Sequence, residues 1–126
     1  AEELLQKLSG EYQIYIVTNG TAHVQKGRIA SAGIRDYVED VFISEEIGVN
    51  KPSKEYFDRC FERIPDFDRN EAVVIGDSLT SDILGGINAG VRTIWFHKKE
   101  SQNETEIIPD YEITDLRELP DLLKKL

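Results

Sequence analysis

The sequence is short of basic residues, holds a single cysteine and contains no long apolar run. Fifteen lysines and arginines face 24 aspartates and glutamates, for a formal net charge of -9. Such a surface repels polyanions and anionic bilayers, which argues against nonspecific binding of a nucleic-acid polymer and against a membrane role. It says little against a small anionic ligand, whose binding depends on local charge. One cysteine excludes an internal disulfide and fits a reducing, cytoplasmic compartment. No stretch approaches the ~20 apolar residues of a membrane-spanning helix. The first residues read as an amphipathic helix rather than a signal peptide. There is no GxGxxG and no Walker loop, so the common nucleotide-binding fingerprints are missing. No internal repeat, low-complexity tract or linker is visible.

What is there is organised around Ala72-Val73-Val74-Ile75-Gly76-Asp77-Ser78-Leu79-Thr80-Ser81-Asp82. A continuous β-branched run suits a strand buried on both faces, as in a parallel sheet. Gly76 allows a sharp exit, and Ser78 or Thr80 can cap the next helix. Asp77 and Asp82 are then both delivered to the carboxyl edge of the sheet, where open α/β folds place ligands. Two like charges held close repel, and a hard divalent cation such as magnesium would neutralise them. The plainer reading makes Asp77 a turn residue and Asp82 a residue favoured by a helix dipole.

The rest of the 126-residue chain, long enough for one domain with a core, alternates strands and helices. Leucines at 4, 5 and 8 predict a helix over 2–9, ended by Gly10. A strand is expected over 12–17, then a polar break at Thr18-Asn19-Gly20-Thr21. A helix follows over 22–32, closed by Gly33-Ile34. A short strand at 41–43 leads into a loop over 44–50. Ser53 is a plausible cap for a helix over 54–64, with Phe57, Cys60, Phe61 and Ile64 on its apolar face. Residues 65–71 read as loop. The helix after Asp82, about 81–89, carries the small residues Gly85, Gly86 and Ala89, and Gly90-Val91 ends it. A strand over 91–96, a polar loop over 98–109, an edge strand at 111–113 and a closing helix to 126 capped by Asp115 complete the pattern. This order implies right-handed crossovers and a parallel α/β sheet.

Other candidates divide between site and scaffold. Thr18 and Asn19, with the N–H groups beside Gly20, could hold phosphate oxygens, or simply form a strand-to-helix turn. Lys51, before Pro52, could neutralise a phosphoryl group, although most lysines are solvated. Cys60 reads as core. Asp66-Phe67-Asp68 is the sole D-x-D and reads as surface turn chemistry, because it precedes a strand instead of ending one. His23 reads as a solvated helical residue and His97 as one without a role. Trp95 and Phe96 read as core or rim.

A hydroxyl after one strand, a lysine after the next and an acid pair after the third form an ordered set. It resembles the haloacid dehalogenase superfamily of phosphotransferases, with Thr18 at the second motif, Lys51 at the third, and Asp77 with Asp82 at the fourth. The wording VTNG, GVNKP and GDSLTSDILGGINAG looks like the pyrimidine 5′-nucleotidase-like members, and the resemblance covers essentially the whole chain. It implies a three-layer, Rossmann-like parallel sheet with helices on both faces. It also implies roles: Thr18 hydrogen-bonds the transferring phosphoryl group with Asn19 assisting, Lys51 offsets charge, Asp77 binds Mg2+, and Asp82 orients Lys51 or a metal-bound water. The implied reaction is phosphoryl transfer to an aspartate and then hydrolysis, acting on a small phosphorylated substrate, preferably a nucleoside 5′-monophosphate. Genuine dehalogenases need no metal and vary the fourth motif, so the acid pair favours a phosphatase.

One part of the pattern is missing. The family's first motif, an apolar strand ending in D-x-D that supplies the nucleophile, is not found. The chain therefore reads as the C-terminal part of such a core, without the nucleophile strand and helical cap. In the family that strand lies between the strands ending at Thr18 and Asp77, so two edges are expected to stand open. A separate N-terminal peptide or another copy's strand is expected to fill the slot, unless the sheet closes up differently. The lone chain is expected to be inactive. Two other readings compete. A phospho-acceptor receiver domain would need an acid pair after its first strand and an acceptor aspartate after its third, and has neither. A catalytically silent binding module that retains the phosphate and metal edge fits the residues present.

Overall fold

Each half of the chain builds a parallel sheet of its own. The computed structural model describes residues 2–126 except Gly20, Ile34 and Pro52. The expected partner of the Gly33 cap, Ile34, thus lies outside the described residues, as does the His23 side chain. By its internal contacts the chain divides into two units, Ala1–Asn50 and Lys51–Leu126.

In the first unit, β1 (Tyr15–Thr18) and β2 (Asp40–Ile43) run parallel, with Thr18 opposite Ile43. The crossover between them is α2 (Ala22–Ala32), closed by Gly33 in the left-handed region, and a 3-10 turn at Arg35–Tyr37. α1 (Glu2–Ser9) buries Leu8, and Ile29, Val38, Phe42, Ile43 and Ile47 are also buried. Tyr15 stacks on Phe42 with ring centroids 5.7 Å apart. Two boundaries differ from the sequence reading. β1 begins at Tyr15 and not at 12, because the N–H groups of Glu11 and Tyr12 turn back to the Leu8 carbonyl and close α1. The expected loop over 44–50 opens with a short helix, α3 (Ser44–Ile47), anchored by buried Ile47 and closed by Gly48. Glu45 and Glu46 suit its positive N-terminal end.

The second unit is a parallel sheet in the order β3-β4-β5, from β3 (Val73–Gly76), β4 (Arg92–Phe96) and β5 (Tyr111–Ile113). α4 (Lys54–Glu62) is capped by the Ser53 hydroxyl, which accepts from Glu55 N–H at 3.2 Å. Its outer face carries the i,i+4 pairs Lys54–Asp58 and Glu55–Arg59. Its inner face is Tyr56, Phe57 and Cys60. The helix stops at Glu62, so the expected fourth apolar position, Ile64, falls beyond it. Phe61 faces Phe67 instead, with stacked rings 4.1 Å apart. The sole D-x-D makes the expected turn: Asp66 takes a positive φ, and Asp68 caps a 3-10 turn by accepting from Asn70 N–H.

α5 (Leu84–Asn88) lies close against its neighbours because it carries Gly85 and Gly86. A methyl on Gly85 would overlap the Phe57 ring, and one on Gly86 would sit 2.7 Å from Thr93 Cγ2. Thr93, which is buried, and Asp110 hold the entry to β5 through Asp110 N–H to Thr93 Oγ1 (3.1 Å) and Thr93 N–H to Asp110 Oδ2 (2.9 Å). A capping box built from Asp115 and Glu118 starts a 3-10 turn at Leu116–Glu118, which runs into α6 (Leu119–Lys124). The Arg117 guanidinium beside Asp115 holds its carboxyl down at about 2. No helix among the described residues is long and apolar enough to cross a membrane.

Burial pushes the Cys60 thiol up to about 11 from its ordinary 9.0. The folded state holds that proton more tightly than the unfolded chain does. Its contribution to stability is therefore full below about 9 and lost as pH rises towards about 11. Native protein should resist thiol alkylation at mildly alkaline pH and react fully once unfolded in guanidinium chloride, as read by intact mass. Rapid alkylation of the native chain would contradict the packing of α4.

Candidate active site

The site in the second unit is built by the turn that leaves β3. The strand ends at Gly76, and Asp77 emerges exposed. The Ser78 hydroxyl, not that of Thr80, caps the next turn, accepting from Ser81 N–H at 3.2 Å. The Ser78 carbonyl accepts from both Asp82 N–H (3.0 Å) and Ile83 N–H (3.1 Å). The second of these closes a π-helical turn over Leu79–Ile83. Such turns insert one extra residue and recur at functional sites. Ile83 is fully buried and pins the turn to the core.

This turn folds Asp82 back onto the end of the strand. A methyl at Gly76 would overlap the Asp82 carboxylate, so only glycine leaves room for it. Asp82 Oδ1 in turn accepts from Lys51 Nζ at 2.5 Å, and the two side chains are only 13% and 10% exposed. A charge-assisted bond this short is strong locally, but withdrawing both charges from water costs much of that gain. The arrangement is therefore better understood as positioning an ammonium at the carboxyl edge than as a stability device. The structure brings together Lys51, Asp82 and the Gly76-Asp77 backbone.

The carboxylate of Asp77 makes no hydrogen bond or ion pair among the described residues. An exposed carboxylate one residue past the glycine that seats Asp82 fits a hard cation such as Mg2+ as one oxygen ligand. No group of three acids, histidines or cysteines among the described residues would hold a metal unaided. Magnesium commonly takes one or two carboxylates and fills its octahedron with water and phosphate oxygens. Asp77 meets the first part of that requirement.

In the first unit, Thr18 and Asn19 occupy the carboxyl end of β1. Thr18 Oγ1 donates to the Asn19 carbonyl at 3.2 Å, and Gln25 Nε2 donates to the same oxygen at 2.7 Å. An open cavity of about 570 Å³ adjoins them, lined by Asn19, Ser44, Glu45, Gly48, Val49 and Asn50. Three further residues, two in this unit and one in the second, carry no site signal in the sequence. Gln25 fixes the Asn19 loop from the first turns of α2. Ser44, almost fully buried, comes directly after the end of β2. Trp95 Nε1 donates to the Asp77 carbonyl at 3.0 Å.

A parallel α/β core with an acid–lysine pair at its carboxyl edge defines a class, and sequence comparison names it. The chain belongs to the haloacid dehalogenase-like hydrolases, whose family model matches residues 1–96. It is 46% identical over 123 residues to the HAD-hydrolase YfnB of Bacillus subtilis, covering 98% of this chain and 52% of that protein. It is 41% identical to the pyrimidine 5′-nucleotidase YjjG of Escherichia coli and 39% identical to PynA of Streptococcus pneumoniae. Those matches cover 99% of this chain in each case, and 56% and 53% of the relatives. A crystal structure of YfnB bound to magnesium superposes with a TM-score of 0.92 at 45% identity, over 96% of this chain and 53% of that one. The chain thus spans about half the length of the curated relatives it matches.

The Lys51–Asp82 pair should behave as a coupled unit. Lys51→Met, which strands a half-desolvated carboxylate, should cost up to about 3 kcal/mol in urea unfolding. Asp82→Asn should cost a comparable amount. The double variant should cost less than the sum by about 1 kcal/mol or more. Simple additivity would show that the two side chains are not paired in solution.

Proposed function

We propose that the protein carrying this chain is a magnesium-dependent phosphomonoesterase acting on nucleoside 5′-monophosphates. The observation that carries the reading is the nearly buried Lys51–Asp82 pair, seated against Gly76 at the strand end from which Asp77 emerges exposed. The relatives named pyrimidine 5′-nucleotidases, at 39% and 41% identity, support the substrate class. Bound magnesium would supply positive charge opposite the transferring phosphoryl group. Asp77 is the residue of this chain that would hold it. Lys51 offsets charge shared between the phosphoryl group and an attacking carboxylate, and Asp82 keeps its ammonium at the strand end. Thr18 would turn its hydroxyl from the Asn19 carbonyl to donate to a phosphoryl oxygen, with Asn19 assisting.

The nucleophilic aspartate is not one of these residues. We assign it to a strand from outside this sequence that pairs with the free side of β3. Two observations support such a partner. Among the described residues β3 pairs only with β4, and Ile75 in this strand is 37% exposed. An apolar strand in an α/β core is ordinarily covered on both faces. The relatives are also about twice as long as this chain. Alone, the chain is a silent phosphate- and cation-binding module.

Release of inorganic phosphate from pyrimidine nucleoside monophosphates tests the reading. The chain alone should release none. Joined to a preceding segment that ends an apolar strand in D-x-D, it should hydrolyse them with Mg2+ and lose activity in a chelator. Asp77→Asn in that active form should lower turnover by about 100-fold or more. Undiminished turnover in the Asn variant would remove Asp77 from the site.

A further inference from the structure

We propose that Trp95 is a positioning residue for Asp77, and so tunes the cation affinity of the strand end. The proposal rests on the assignment of Asp77 as a magnesium ligand. Asp77 comes after a glycine and leaves the sheet exposed, so little in its own segment fixes its peptide. The neighbouring strand provides the restraint. Trp95 lies opposite Gly76 in the β3–β4 register, and its indole is 5% exposed. From there Nε1–H donates to the Asp77 carbonyl at 3.0 Å.

A buried indole N–H has few acceptors to choose from, and losing this one would leave both donor and carbonyl unsatisfied. The indole is itself held in place. The His97 imidazole stacks on it with centroids 3.9 Å apart and planes 24° from parallel. The ring nitrogens of His97 are engaged in turn, Nδ1 with the Lys98 carbonyl at 2.8 Å and Nε2 with Glu112 Oε1 at 3.2 Å. A chain of contacts therefore runs from Glu112 on β5 through His97 and Trp95 to Asp77 at the end of β3. Its effect is to clamp the peptide whose side chain meets the cation. A ligand held in one orientation does not have to be ordered when the metal arrives, and outer contacts of this kind commonly set metal affinity by about 10- to 100-fold.

The chain's sole tryptophan makes the test direct. Mg2+ is titrated by calorimetry into the chain, Trp95→Phe and Asp77→Asn, with thermal midpoints measured in a chelator. Phenylalanine keeps a flat ring against His97 and removes the donor together with part of the buried ring. The proposal expects Trp95→Phe to bind Mg2+ about tenfold more weakly or worse while its metal-free form still unfolds cooperatively, at a midpoint lowered by the lost bond and ring area. It also expects the Trp95 emission of the parent chain to respond to Mg2+ and that of Asp77→Asn to stay constant, a readout that needs no tryptophan variant. Unchanged affinity in Trp95→Phe, with Asp77→Asn impaired, would overturn the positioning role and leave Asp77 as ligand. Equal Mg2+ binding by the parent chain and Asp77→Asn, or none by either, would overturn both.

Discussion

The contact between Lys51 and Asp82, seated where Gly76 has no side chain, is the constraint on which the site depends. It ties the segment before α4 to the turn after β3, two places 31 residues apart in the sequence. It requires a glycine at the strand end, a π turn to bring Asp82 back, and a serine cap to hold that turn. The glycine, the π turn and the ion pair itself are poor choices for stability alone. Glycine weakens a strand, a π turn strains a helix start, and a nearly buried ion pair gains little over an apolar substitute. Their joint presence at one strand end sets this turn apart from an ordinary strand exit.

The same edge shows how α/β architecture divides labour. Apolar side chains on β4 and α4 bury the core, while Asp77, just past the end of β3, is exposed. Its backbone is held by Trp95, and its carboxylate makes no hydrogen bond or ion pair among the described residues. β3 is the exception in the scaffold, with a sequence suited to a covered strand and a face that is partly open. That mismatch between apolar content and exposure is the physical basis for assigning it an additional strand partner.

Much of the fold was legible in the sequence because its signals are local. The Val73–Ile75 run, the Ser53 cap, the Gly33 stop and the Asp115 capping signal act over a few residues, and the structure places these elements as read, except that β3, read as buried on both faces, is partly exposed. The departures have two kinds of cause. β1 starts late for a local reason, because the Leu8 carbonyl claims the Glu11 and Tyr12 N–H groups, and α3 forms for a tertiary one, because Ile47 finds a core to enter. The π turn was invisible because it depends on a carbonyl shared by two donors. Lys51 and Asp82 were each readable as site residues, but their pairing became specific only once the glycine gap was seen. Trp95 was read as core, which its burial bears out, yet the direction of its N–H has no sequence signature.

Paramagnetic broadening of NMR signals by Mn2+, used in place of Mg2+, asks most directly whether the strand end that seats the Lys51–Asp82 pair holds a cation through Asp77. Relaxation by the ion falls steeply with distance. The amide signals of Gly76, Asp77 and Ser78 should broaden in the parent chain and stay sharp in Asp77→Asn. Broadening that persists unchanged in Asp77→Asn, or none at these amides in the parent chain, would contradict the account.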